Sequence, residues 1–200
     1  MKRLGLRTLA AVMSLALLAW VNSGCGGGGG GGGGSPTQPP PPVIPPSSVT
    51  FTADSQAVPG SVYLEQGQGS SGTVLVLEVR VMDVSDLYSA RFDLEFPNSL
   101  LTFRKNATTE GEFLGGGGDF RTDLIVKNKP AGNLVIGFSR IGDVEGAEGS
   151  GTLFSLEFGT DKSGSGSLNL KRHDTFDPNG EVQSGVTWIG GSIDVHVQSN

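Results

Sequence analysis

The sequence predicts an all-β domain, an antiparallel β-sandwich, in the larger C-terminal part of a chain of 200 residues. Three observations predict it. Apolar and polar residues alternate in several short runs, which is the period of a half-buried strand. Turn sequences rich in glycine and proline bound these runs. No window of eleven or more residues sustains the 3.6-residue period of an amphipathic helix. Several short strands with polar outer faces favour two sheets packed face to face.

The predicted strands follow one another between these turns. Their apolar positions alternate over, in chain order, Leu75 to Val81, Phe92 to Phe96, Leu134 to Phe138, Phe154 to Phe158 and Ile193 to Val197. The turn signals are Pro59-Gly60, Gly115 to Gly118, Pro130 to Gly132, Gly149 to Gly151, and Asp177 to Gly180.

The chain begins with the features of an export signal. Basic Lys2, Arg3 and Arg7 precede an uncharged apolar stretch over residues 9–21. That stretch is shorter than the roughly 20 residues that a membrane-spanning helix needs. We therefore predict that residues 1–24 are a cleaved, lipoprotein-type signal peptide.

Cys25 is the only cysteine of the chain, which excludes an internal disulfide. The residues before it, Asn22, Ser23 and Gly24, resemble a lipobox, although Asn22 stands where leucine is usual. The resemblance implies that Cys25 is acylated and becomes the mature N-terminus. This predicts a lipid-anchored protein of the cell envelope, with the outer membrane favoured, facing the periplasm or the extracellular space. The alternative is cleavage after Ser23, which gives a secreted protein with a free thiol.

Residues 25–48 are predicted to be a tether. Nine consecutive glycines are followed by a proline-rich tract. Polyglycine is a flexible coil and polyproline is extended, and neither buries apolar area. The folded domain is predicted over residues 49–198, a normal single-domain size.

The charge balance excludes nucleic acid as a partner. The chain has 14 basic and 20 acidic residues, and loss of the signal removes three of the basic ones. The remaining 11 against 20 give a net charge of −9. Such a surface repels nucleic acid and anionic lipid headgroups, so we expect membrane contact through the lipid anchor alone.

The order of segments within residues 49–198 resembles a known family. It runs through Ser61 to Leu64, Val74 to Asp83, Ala90 to Pro97, Leu100 to Phe103, Thr109 to Leu114, Gly149 to Phe158, Gly164 to Leu170, Asp177 to Gly180 and Gly190 to Val195. This is similar to a cohesin domain, of the divergent kind found in bacteria outside cellulosomes. The resemblance implies a nine-stranded jelly roll, related to carbohydrate-binding modules, that docks a calcium-loaded dockerin helix pair on one sheet face.

The family's docking face implies a candidate binding site on the strand around Phe92. Ser89, Arg91, Asp93 and Glu95 alternate outward from the core positions, so we predict that they share one exposed face. Ser89 and Arg91 fall at about the places of the family's recognition Asn and Asp, and arginine reverses the charge there. The predicted function is a non-catalytic binding module for dockerin-like protein attachment at the cell envelope.

Carbohydrate binding is the alternative function, as a module in polysaccharide binding or catabolism. Sugar rings pack their C–H faces on aromatic side chains, which makes Trp188 and Tyr88 the possible glycan contacts.

The sequence offers no convergent catalytic groups, and no enzyme activity or cofactor is predicted. His173 lies in a turn-like run, Lys171 to Asp174, and is expected to be solvated. An EF-hand loop with Gly180 at its sixth place needs an acid at Thr175 and a glutamate at Val186, so that motif fails. We predict a β-turn at Asp177 to Gly180. The alternative for this region is a calcium site formed by Asp174, Asp177 and Asn179.

Overall fold

The computed structural model describes residues 45–198. The predicted signal peptide, Cys25 and most of the predicted tether lie outside these residues. The described part contains twelve strands: β1 Ser48–Ala53, β2 Ser61–Gln66, β3 Val74–Leu87, β4 Ser89–Glu95, β5 Thr102–Phe103, β6 Thr109–Glu110, β7 Thr122–Lys129, β8 Asn133–Arg140, β9 Ala147–Gly159, β10 Gly164–Phe176, β11 Thr187–Ile189 and β12 Gly191–His196. A single-turn helix, α1, spans Glu112–Gly115, and 3-10 turns span Lys105–Ala107 and Gly116–Gly118. None of these helices has the length and apolarity that crossing a membrane requires.

The strands form two sheets, which confirms the all-β sandwich. The first sheet has the order β1-β12-β10-β4-β8-β7 and is antiparallel throughout. The second has the order β11-β2-β3-β9-β5, with β6 also paired to β9. Nine of the strands have six or more residues, as the cohesin resemblance implies, and the other three have two or three.

One pair departs from the antiparallel expectation, because β11 runs parallel to β2. β11 continues into β12 with only Gly190 between them, so the direction of β12 fixes that of β11. At Gly190 the chain crosses from one sheet to the other. A Cβ there would lie 2.4 Å from the carbonyl oxygen of Leu168, so this crossing requires glycine.

The core lies between the sheets and is built from the alternating apolar positions that define the predicted strands. Phe154 of the second sheet is fully buried and packs against two rings of the first. Its ring centroid lies 6.1 Å from that of Phe92 and 5.8 Å from that of Phe138. Truncating a buried phenylalanine costs about 3–5 kcal/mol. This packing between the two sheets therefore fixes the positions of β4 and β8.

Of the five predicted turns, three are confirmed, Gly115 to Gly118 forms the end of α1 and a 3-10 turn, and one is wrong. Gly149 to Gly151 lies inside β9, where the pairing with β3 shifts register. Gly149 has a φ of 101°, which only glycine adopts readily. These glycines accommodate the change of register within a long strand. The sequence predicts a turn here because bulges and turns favour the same residue types.

Candidate functional site

The outer side of the first sheet carries the predicted site residues. The antiparallel registers place four outward positions of each of β10, β4, β8 and β7 side by side, and we call this surface the outer face. Its four rows, each read from β10 to β7, are Phe176-Ser89-Ser139-Asp123, Asp174-Arg91-Gly137-Ile125, Lys171-Asp93-Val135-Lys127 and Asn169-Glu95-Asn133-Lys129.

Three of the four predicted contact residues are accessible on this face. Arg91 and Glu95 are exposed and Ser89 is half-buried. Asp93 is buried, with 6% of its surface exposed, so the expectation that it is exposed is wrong. Its carboxylate accepts a hydrogen bond from Nδ2 of Asn133 at 3.0 Å and pairs with the guanidinium of Arg172. These partners cover the carboxylate and satisfy it, as a buried charge requires.

Arg172 reaches Asp93 because β10 contains a β-bulge. Lys171 pairs with Asp93 and Asp174 pairs with Arg91, so Arg172 and His173 together stand opposite one residue of β4. Arg172 has a φ of 45°, in the left-handed region. The run predicted as turn-like is therefore part of a strand. The bulge redirects an otherwise solvated arginine onto the outer face.

Arg91 is held by an ion pair across β4 and β10. Its Nε and Nη2 donate to one oxygen, Oδ2, of Asp174, at 2.8 and 2.5 Å. The guanidinium carbon also lies 5.5 Å from the ring centroid of Phe176. The Arg91 side chain nevertheless remains 64% exposed. It is a cation in a defined position with most of its surface open to solvent.

The middle of the outer face carries no side chain at Gly137, and we call the open space over this glycine the hollow. Gly137 is in the interior of β8, and a Cβ built on it would meet nothing within 4 Å. On its two sides are Arg91 of β4 and Ile125 of β7. Ile125 is 47% exposed, which is unusual for a large apolar side chain in a sheet. A glycine inside a strand marks a place where another chain can approach the backbone closely.

Comparison with solved structures identifies the architecture. A type II cohesin dyad from the adaptor ScaA scaffoldin of Acetivibrio cellulolyticus matches with a TM-score of 0.55 and 15% identity, over 67% of this chain and 47% of the dyad, so this chain spans about half of the dyad's length. A type II cohesin from Bacteroides cellulosolvens matches with a TM-score of 0.57 and 13% identity, over 70% of this chain and all of that one (100%). An interface mutant of a type II cohesin-X-dockerin complex from A. cellulolyticus matches with a TM-score of 0.51 and 15% identity, over 71% of this chain and 94% of that one.

This domain has the cohesin fold. The resemblance stated from the residues is thus confirmed at the level of the fold. No protein-family model matches the sequence, and no curated protein matches it. The shared property is therefore the three-dimensional arrangement of strands.

The two aromatic residues predicted as glycan contacts have separate surroundings in the cohesin-fold domain. The ring of Trp188 lies 5.4 Å from that of Phe92 and stacks against His173 at 4.7 Å, with an interplanar angle of 11°. Tyr88 donates a hydrogen bond from its hydroxyl to the carbonyl of Gly142 at 2.7 Å. Both are half-buried. The structure does not bring them together into one platform, and glycan binding stays a prediction.

The three candidate calcium ligands also serve the cohesin-fold domain in other ways. Asp174 is paired with Arg91. Oδ1 of Asp177 accepts hydrogen bonds from the backbone N–H groups of Asn179 and Glu181, each at 2.9 Å. The N–H of Gly180 donates to the carbonyl of Asp177 at 3.0 Å, which confirms the predicted β-turn. Within residues 45–198, no group of three or more His, Cys, Asp or Glu side chains is placed to hold a metal ion.

Arg140 ends β8 and binds both α1 and the segment that precedes β9. Only 6% of it is exposed. Its Nε donates to the carbonyl of Leu114 at 2.7 Å and its Nη1 to that of Glu145 at 2.5 Å, and the ring of Phe120 covers it at 4.1 Å. Burial lowers the pKa of Arg140, and Tyr88 partly offsets this. An arginine remains charged at neutral pH even so, and its hydrogen bonds are charge-assisted.

Proposed function

We propose that this protein is a non-catalytic binding module and that a dockerin-type protein docks on the outer face. The cohesin fold supports the first part, together with the relative solved as a cohesin-X-dockerin complex. Docking on the outer face, the second part, rests on one observation. The guanidinium of Arg91 is exposed, is held in position by Asp174, and lies next to the hollow at Gly137. Partner recognition concentrates on such charged and apolar anchors near the centre of an interface.

The geometry of the outer face is suited to protein contact. Four paired strands offer sixteen outward positions in register, supported from below by tightly packed phenylalanines. Because the core fixes the backbone, the side chains of this surface are presented in defined positions before a partner arrives. Such preorganisation lowers the entropy that binding must overcome.

We also propose that the module acts at the cell envelope. The sequence supports an exported chain with Cys25 acylated and a flexible segment before the domain. A lipid anchor and a tether would let the domain search for partners while it remains attached to a membrane, for which the outer membrane is favoured. Secretion of the free protein is the alternative.

A direct screen tests the proposed function against its rival. Residues 43–200, which contain the compact unit that the structure describes over residues 45–198, would be presented with a panel of purified dockerin modules in calcium and, separately, with a glycan array. We expect at least one dockerin to bind and no glycan to do so. Glycan binding that is lost in Trp188→Ala or Tyr88→Ala, with no dockerin bound, would favour the carbohydrate-binding alternative.

A further inference from the structure

We infer that the domain forms a two-fold symmetric dimer in which β7 pairs antiparallel with the β7 of a second copy of this chain. The inference goes beyond the proposed docking of a partner and does not depend on it. It follows from the free edge of the first sheet, the order of charges along β7, and an exposed isoleucine at the centre of that order.

β7 is the longest of the strands that end the two sheets within residues 45–198. It has eight residues, against six in β1, three in β11 and two in β5. The edge of β1 is also closed by a side chain. The amide of Gln66 accepts a hydrogen bond from the N–H of Phe51 at 2.6 Å and donates one to the carbonyl of Val49 at 3.3 Å. A long, uncovered edge strand is a template for pairing with another strand, so a further strand would add at β7.

The ladder between β7 and β8 shows which backbone groups point to the free edge. The N–H of Ile141 donates to the carbonyl of Arg121 at 2.9 Å, and neighbouring residues of a strand point these groups to opposite sides. The register continues from this pair, so the odd-numbered residues of β7 face β8. The even-numbered ones therefore face the free edge, and their N–H and C=O groups have no backbone partner there within residues 45–198: Thr122, Leu124, Val126 and Asn128.

The side chains of β7 are complementary to the same strand in reversed order. Asp123 stands two residues before Ile125 and Lys127 two residues after it, and all three lie on the outer face. When two copies pair with Ile125 opposite Ile125, each Asp123 stands opposite Lys127 of the other copy. In the same register Leu124 stands opposite Val126, and the free backbone groups of the two strands meet. A two-fold interface requires this kind of self-complementarity.

Other registers match less well. A shift by two residues still lets the free backbone groups meet. In one direction it places Asp123 opposite Ile125, and both ion pairs are lost. In the other it places Ile125 opposite Lys127, and the apolar pair is lost. The inferred register brings like charges together at its two ends, where Arg121 stands opposite Lys129, but both side chains are exposed and their repulsion is screened by salt.

Apolar side chains at the centre of the pairing would leave water on dimerisation. Ile125 is 47% exposed in the single domain. Opposite residues of this type, which are not hydrogen-bonded to each other, have Cα atoms about 4.5 Å apart, so the two Ile125 side chains would cover each other. Leu124 and Val126 are half-buried and pack against the core, and their contacts with the second copy would extend that core across the dimer. Burial of this apolar surface favours association.

The pairing of one strand is a small interface, so we expect a weak and reversible dimer. The two-fold axis of an antiparallel pair within one sheet is perpendicular to that sheet. The two six-stranded sheets would therefore join into one sheet of twelve strands, with both outer faces pointing the same way. Where the proposed docking function holds, such a dimer presents two docking faces side by side.

Charge reversals test the register. Residues 43–200 would be studied by sedimentation velocity from about 1 µM to about 1 mM, the range in which small interfaces associate. We expect a dimer whose dissociation constant rises at least about tenfold in Asp123→Lys and in Lys127→Asp, since each change opposes like charges twice. The double variant restores both ion pairs and should regain the wild-type dissociation constant. Asp194→Lys, at an exposed position of β12, is the matched control and should dimerise like the wild type.

A disulfide locates the two-fold axis. Cys25 is the only cysteine of the chain, so residues 43–200 contain none. The Cα atoms of the two Ile125 residues would be about 4.5 Å apart, a separation that a disulfide spans. The control is Val182→Cys, because Val182 is also apolar and exposed but lies between β10 and β11. We expect Ile125→Cys to form a covalent dimer at least about tenfold faster, since pairing raises the effective concentration of its thiols.

The inference is overturned if the wild-type domain stays monomeric over the whole concentration range, if the double charge reversal dimerises as weakly as the single ones, or if the two cysteine variants cross-link equally fast. Far-UV circular dichroism would establish that each variant is folded. Should Asp123→Lys not fold, Asp123→Asn removes the charge without reversing it, and it should weaken the dimer by a smaller factor in the same direction.

Discussion

Arg91 and Asp174 form an ion pair across β4 and β10 in which Nε and Nη2 of the arginine both donate to Oδ2 of the carboxylate. The pair fixes the position of a guanidinium that is still 64% exposed. Exposed pairs of this kind contribute about 0.2–1 kcal/mol to folding. A partner carboxylate can therefore compete with Asp174 for Arg91 at small cost to the fold.

Removing the competing carboxylate should strengthen binding to a partner whose own carboxylate pairs with Arg91. We expect Asp174→Asn to bind a dockerin selected from the panel several-fold more tightly and to lose less than about 1 kcal/mol in the free energy of unfolding. Calorimetric titration and urea denaturation measure the two effects. Weaker binding by this variant would contradict the competition and show that Asp174 chiefly orients Arg91.

Asp93 and Arg172 should contribute unequally to stability although they form one ion pair. Asp93→Ala leaves the half-buried amide of Asn133 without its acceptor, and we expect a loss of about 1–3 kcal/mol. The Arg172 side chain is 71% exposed, so in Arg172→Ala water can reach the carboxylate of Asp93 in its place, and this variant should cost less. Urea denaturation compares the two. Equal losses would contradict the structural role assigned to the buried carboxylate.

The alternation of residues around Phe92 correctly predicts β4 and its outer face, because burial on one side of a sheet imposes a period of two. The burial of Asp93 cannot be read from that period. It depends on Arg172, which lies 79 residues further along the chain and reaches the carboxylate only through a bulge. The burial of Asp93 therefore results from a tertiary contact, which leaves no signal in the neighbouring sequence.

The hollow at Gly137 was also missed by sequence reasoning, for a different reason. Glycine spaces the apolar positions of β8 in the same way as any small or polar residue does, so the strand pattern is unchanged by it. Its meaning appears only when the register places it between Arg91 and Ile125. Likewise Gly149 to Gly151 reads as a turn, since turns and bulges favour the same residues.

Gly132, which directly precedes β8, and Gly137, which lies within it, should respond oppositely to alanine. Gly132 has a φ of 75°, and a Cβ there would lie 2.2 Å from the carbonyl oxygen of Phe96. Gly132→Ala should therefore destabilise the domain by more than about 1 kcal/mol. Gly137→Ala meets open space and should be neutral or stabilising by about 0.5–1 kcal/mol. Thermal unfolding of both variants checks this, and a large loss in Gly137→Ala would contradict the open hollow.

The proposed anchor makes a prediction about location. Cys25→Ser removes the acylated thiol, so we expect the full-length protein to move from the membrane fraction to the soluble fraction when cells are fractionated. Ser35→Ala in the predicted tether is the control and should stay with the membrane. Retention of the Cys25→Ser variant in the membrane fraction would refute the lipid anchor.

The central claim is that a dockerin-type partner docks on the outer face through Arg91. Its most direct test is the calorimetric affinity of a dockerin selected from the panel for Arg91→Glu and Arg104→Glu. Arg104, which directly follows β5, is the matched control, since its side chain is 48% exposed and it also forms an ion pair, with Glu157 of β9 in the second sheet at 2.7 Å. Reversing a charge at the centre of an interface costs about 2–5 kcal/mol. The account predicts loss of at least about 30-fold in affinity for Arg91→Glu and wild-type affinity for Arg104→Glu; equal affinity of the two variants would contradict it.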